Sequence, residues 1–121
     1  MIATAATVLI VLVALLHLYF LYLEMFAWTK PATRAIFGTT AEFAEESKVL
    51  AANQGLYNGF LAVGLLHTVY GPFANIHLAM LFLSFVIVAA IYGAWSTKKP
   101  RILLVQGLPA ALAIVAVIFA M

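Results

Sequence analysis

Six side chains able to exchange protons or grip a polar ligand stand in almost wholly apolar sequence: His17, Glu24, Asn53, Gln54, Tyr57 and Asn58. The last four fall within one run, Asn53-Gln54-Gly55-Leu56-Tyr57-Asn58-Gly59. Hydrocarbon cannot satisfy an amide, and leaving one unpaired there costs on the order of several kcal/mol. The three amides therefore need partners on other helices, in a water pocket or in a ligand. His17 and Glu24 are seven residues apart, which places them on one helical face with Leu21 between them and Trp28 one turn further on. Ionisable residues on a bundle-facing stripe of a span usually mark a ligand, proton or ion site. Glu24 then serves as acid or base, His17 modulates it, Tyr57 donates a proton or hydrogen bond, and the amides orient polar atoms of a lipid-soluble molecule. Isomerisation or another proton transfer fits this inventory. Two plainer readings stand beside it: Glu24 snorkels to the interface and pairs with Lys30 or another cation, and the amides serve only as glue between helices, at about 0.6–2 kcal/mol per bond.

The elements that position these groups are set by composition. With 121 residues, 67% hydrophobic and 8% charged, the chain has more apolar surface than a soluble domain of this size can hide. The apolar content falls into four runs of about 20 residues, the length needed to cross a bilayer. The spans are placed at 2–28, 47–69, 73–95 and 102–120, within a single domain covering 1–121. The first run has no basic segment ahead of it and exceeds a signal-peptide core, so it is expected to be retained. The absence of cysteine excludes a disulfide framework, a thiolate metal site and a cysteine nucleophile. All six basic residues, Lys30, Arg34, Lys48, Lys98, Lys99 and Arg101, lie in the first and third connections. By the positive-inside rule those connections are cytoplasmic and both termini face outward. The expected fold is an all-α integral membrane four-helix bundle, multi-pass in the inner (plasma) membrane. Its partner is the lipid bilayer, and nothing supports nucleic acid.

In the first connection, Pro31 and Gly38 read as helix breakers within a loop from Thr29 to Thr39. Thr39 and Glu42 have capping-box spacing, so the second helix should start near Thr40 and project into the cytoplasm. Glu42, Glu45 and Glu46 then form a solvated face matched to the helix dipole. In the span itself, Asn53, Tyr57, Gly64 and Thr68 share a face broadened by Gln54 and Asn58, while Gly55 and Gly59 form a GxxxG toward the other side. His67 and His77 flank the Tyr70-Gly71-Pro72 turn at the outer surface, and two histidines without a third ligand predict no metal. The third span is expected to open near Phe73. Pro109 should kink the fourth, freeing the carbonyl of Val105. Counting depth from the connections puts Glu24, Asn53, Gln54, Tyr57, Asn58, Tyr92 and Gln106 in the inner half of the bilayer. The expected site is one inner-leaflet pocket, with Glu24, His17 and Tyr57 catalytic and Asn53, Gln54, Asn58, Tyr92 and Gln106 binding the ligand.

The segment Leu23-Glu24-Met25-Phe26, followed by Asn53 through Ala62, resembles the small four-span bacterial membrane proteins grouped as domain of unknown function 1304. That resemblance covers essentially the whole chain and implies a four-helix membrane fold with no established activity. A more distant likeness is to the membrane-associated proteins in eicosanoid and glutathione metabolism. It rests on Asn53 in a second helix that begins in the cytoplasm, on Gly71-Pro72, and on Gln106-Gly107-Leu108-Pro109. It implies a homo-oligomer, a trimer of four-helix subunits. Those proteins hold glutathione carboxylates with arginines on the second, third and fourth helices, and this chain has no arginine or lysine in the apolar run Val49 to Val69 or in the third and fourth spans. No cofactor motif is present. Two other functions are compatible with the inventory: a proton-coupled small-molecule transporter using Glu24, against which the fixed charge asymmetry and the lack of an internal repeat count, and a structural helper subunit.

Overall fold

A computed structural model describes residues 3–121, and among these residues all regular structure is helical. Five α-helices follow one another: α1 Thr4–Phe26, α2 Pro31–Phe37, α3 Ala41–Val69, α4 Ile76–Thr97 and α5 Leu108–Phe119. A 3₁₀ turn at Gly71–Phe73 precedes α4, and a π-helical turn at Leu103–Gly107 leads into α5. Helices α1, α3 and α4 are long and apolar enough to cross a membrane, whereas the last apolar stretch, Leu103–Phe119, is shorter. The expected start of the first span at Ile2 lies outside the described residues.

The first connection is not the loop its Pro and Gly suggest. Pro31 occupies the start of α2, where a missing N–H costs nothing, and Gly38 ends it in the left-handed conformation (φ 68°), returning its N–H to the carbonyl of Arg34. These residues delimit a helix rather than break one. Helix α3 opens at Ala41, and Thr40 caps it: the Thr40 hydroxyl accepts from the Phe43 N–H at 3.1 Å. The reciprocal box expected from Thr39 and Glu42 does not apply, because with Thr40 as cap the third residue is Phe43, which has no group to reach back. Helix α4 opens at Ile76 rather than Phe73. Apolarity marks where a span can begin, but Asn75 decides where this helix does, by accepting from the Leu78 N–H at 3.0 Å.

The chain divides into two compact units, His17–Leu61 and the combination of Met1–Leu16 with Ala62–Met121. In the latter, α4 packs on α5 and the π turn. Small side chains make this possible: α4 buries Ala79, Ala90 and Ala94 around Leu83 and Val86, and α5 buries Ala110, Ala113 and Val117. Gly107 sits close enough to α4 that a Cβ on it would lie 3.4 Å from the Ala90 Cβ. The disturbance expected from Pro109 takes a definite form. Leu103–Gly107 widens into a π turn, with the Leu108 N–H reaching back to the Leu103 carbonyl, because the proline that follows has no N–H to donate.

Candidate functional site

The polar residues of the unit His17–Leu61 are positioned by the close approach of α3 to α1. The buried stripe of α3 runs through Ala51, Gly55, Asn58, Gly59, Ala62 and Leu65, a helical repeat dominated by small residues. Gly55 lies directly against α1: a Cβ there would be 2.7 Å from Met25 Cγ, 3.0 Å from Glu24 Cβ and 3.2 Å from the Leu21 carbonyl oxygen. One turn on, a Cβ on Gly59 would meet Leu21 Cδ1 at 2.6 Å. The two glycines let the helices touch at the level of Glu24.

At that level the carboxylate of Glu24 meets an amide. Asn58 Nδ2 donates to Glu24 Oε2 at 2.9 Å, joining residues 34 apart in sequence. Glu24 retains only 9% of its exposure and Asn58 only 8%, so the carboxylate does not snorkel out to Lys30. Its hydrogen-bond partner is a neutral side chain on the neighbouring helix. The distance is ordinary for an N–H···O bond, and the amide can donate to this oxygen whether or not the acid is ionised.

The other expected site residues are distributed differently. His17 is fully buried two turns back along α1 and presents itself edge-on to Phe20, with ring centroids 5.6 Å apart. Asn53 and Gln54 are on the exposed side of α3, and the Asn53 amide donates to the Val49 carbonyl of its own helix at 2.9 Å. Tyr57 is 62% exposed, with its ring edge-on to Phe60. Of the polar residues of α3, Asn58 alone is hydrogen-bonded to Glu24 among the described residues. Tyr92, exposed and tilted against Trp95, and Gln106, half-buried in the π turn, belong to the other unit. His67 stacks on Phe73 and His77 is exposed, and no group of three or more His, Asp or Glu gathers among the described residues.

A second tie, between Trp28 and Ser47, had no counterpart in the sequence reading. Trp28 Nε1 donates to Ser47 Oγ at 3.0 Å, Ser47 Oγ donates to the Phe43 carbonyl, and the Trp28 ring leans on Phe37 of α2 at 4.9 Å. The signal for Trp28 was its place four residues beyond Glu24 on the same stripe. Ser47 lies among the acidic first turns of α3 and gave none.

The profile of the family described as "Protein of unknown function (DUF1304)" matches residues 11–118. The chain is similar to the uncharacterized protein YpaA of Lactococcus lactis subsp. lactis (strain IL1403), with 37% identity over 114 residues that cover 93% of this chain and 95% of that protein. No solved structure matches the chain.

Proposed function

We propose, from the premise that the chain belongs to the DUF1304 family of unknown function, that it is an integral membrane protein binding a lipid-soluble small molecule at Glu24 and Asn58. The observation that carries this is the 2.9 Å bond between two buried polar side chains, an acid and an amide, on helices with the length and apolarity of membrane spans. Proton transfer at Glu24 is the chemistry such a site has to offer. The membrane reading draws on the many large apolar side chains that point outward, among them Leu12, Leu50, Val63, Val88 and Leu104. The positive-inside rule then sets the connections around Lys30 and Lys98 in the cytoplasm, with both termini outside and the start of α3 projecting inward. Leu103–Phe119 completes a four-helix bundle, and Glu24 faces the inner leaflet. The distant likeness to the eicosanoid and glutathione proteins favours a trimer, without their glutathione site.

Native mass spectrometry of the protein released from a mild detergent tests the reading. A small molecule retained by the wild type and absent from the Glu24→Gln variant, at equal folded yield, is the expected result. Wild-type protein that carries nothing and a variant that fails only to assemble would leave Glu24 and Asn58 as structural glue.

A further inference from the structure

We infer that the Glu24–Asn58 site takes a positively charged amphiphile, an ammonium head group whose hydrocarbon part stays in the membrane. This rests on the reading that the pair is a ligand site and names the chemistry of the ligand. The first observation is which atoms are already used. One N–H of Asn58 Nδ2 is used on Glu24 Oε2, which leaves its second N–H together with Glu24 Oε1 and Asn58 Oδ1, both acceptors when the acid is ionised. Neither is sealed off. Among the described residues only Thr39 Oγ1 is a fully enclosed side-chain polar atom without a partner, so Oε1 and Oδ1 each retain some surface. The site therefore offers two acceptors against one remaining amide N–H, a balance that favours a ligand rich in donors.

The second observation is the missing counter-charge. A carboxylate removed from water is stabilised by an opposite charge, and breaking such a pair leaves a costly buried ion. Among the described residues, the group hydrogen-bonded to Glu24 is a neutral amide. The cations of its own unit are engaged elsewhere or exposed: Lys48 pairs with Glu45, Arg34 Nε donates to the Thr29 carbonyl, and Lys30 lies at the surface. An ammonium supplies both the charge and up to three donors for the two free acceptors. An anionic head is repelled, a neutral alcohol brings one donor and no charge, and a metal ion lacks a third acidic or histidine ligand among the described residues. The groups beside the carboxyl are hydrocarbon: Leu21 and Met25, its apolar neighbours on α1, lie against Gly59 and Gly55 of α3.

The test uses the full chain in phosphatidylcholine nanodiscs and three probes of one chain length: dodecylamine, dodecanol and dodecanoate. Retained probe is measured by mass spectrometry after gel filtration. Dodecylamine is expected at one per chain, at least tenfold tighter than dodecanol, with Glu24→Gln lowering it to the dodecanol level. A measurement on the wild type removes dependence on the variant's folding: dodecylamine, and not dodecanol, should slow modification of Glu24 by dicyclohexylcarbodiimide. Dodecanol that binds as tightly as the amine and is lost in Glu24→Gln would overturn the charge assignment while leaving a ligand site in place. Amine binding unchanged in Glu24→Gln, with no protection of Glu24, would overturn both.

Discussion

Replacing Gly55 with alanine sets two opposing effects against each other, and the structure decides between them. In an isolated helix the change stabilises by about 1 kcal/mol, because glycine is the poorer helix former. Here the new Cβ would stand 2.7 Å from Met25 Cγ and 3.2 Å from the Leu21 carbonyl oxygen. Met25 can rotate, but the carbonyl belongs to the α1 backbone and cannot. Glu24 Cβ, 3.0 Å from the new atom, is likewise fixed to α1, and restoring an ordinary carbon–carbon separation of about 3.5 Å from it requires a shift of roughly 0.5 Å. Overpacking of this kind costs about 1–3 kcal/mol. A shift of that size also carries the 2.9 Å bond between Asn58 and Glu24 to the edge of hydrogen-bonding range, and a bond to a charged group contributes about 1.5–3 kcal/mol. The expected net loss is about 1–3 kcal/mol. Gly93→Ala is the control, since its Cβ would meet nothing closer than Ile102 Cγ2 at 3.7 Å, and it should gain up to about 1 kcal/mol. Unfolding in mixed micelles of rising dodecyl sulfate fraction, followed by the fluorescence of Trp28 and Trp95, measures both. A Gly55→Ala protein as stable as the wild type, or a Gly93→Ala protein that loses more than it, would refute the reasoning.

Other outcomes follow from the same geometry. In a double-mutant cycle, Glu24→Ala and Asn58→Ala should be coupled by about 0.5–3 kcal/mol in the same unfolding assay, and additive losses would mean that the bond contributes nothing. Thr40→Ala should cost about 1 kcal/mol and speed amide exchange over the first turn of α3, whereas Thr39→Ala should leave that turn unchanged. The chain has no cysteine, so single cysteines can report sidedness: Ser96→Cys should be modified by a membrane-impermeant maleimide only from the cytoplasmic side and Tyr70→Cys only from outside. The reverse pattern would invert the proposed orientation.

Much of the site was legible because polar residues in an apolar run are conspicuous, and both Glu24 and Asn58 stood out on that ground. Their partners were less so, since depth along a span says nothing about rotation around it. The small residues settle the rotation. At about 100° per residue, Asn58 is some 60° round α3 from Gly55, whereas Asn53 is some 160° round, on the far side. Once Gly55 faces α1, Asn58 turns inward and Asn53 outward. Grouping the amides together and setting the glycines opposite them concealed this. The short helix α2 was hidden for a different reason: Pro31 and Gly38 were weighed singly as breakers, although a proline at a helix start and a glycine just past its end is the signature of a helix between them. The π turn had only Pro109 to announce it. A lost hydrogen bond can be met by a bend or by a change of winding, and sequence does not choose.

That change of winding alters what the chain can tolerate. A π turn holds one residue more than the α-helical path between the same end points. Leu103–Gly107 therefore behaves as a stored insertion. Deleting Leu104 should tighten the turn to ordinary α-helix and leave Ala110, Ala113 and Val117 on the side they now occupy, at little cost. Deleting Val115 instead would rotate the rest of α5 by about 100° and carry Val117 off its buried face. In the last helix, the loss of one residue is absorbed at the π turn and nowhere further along.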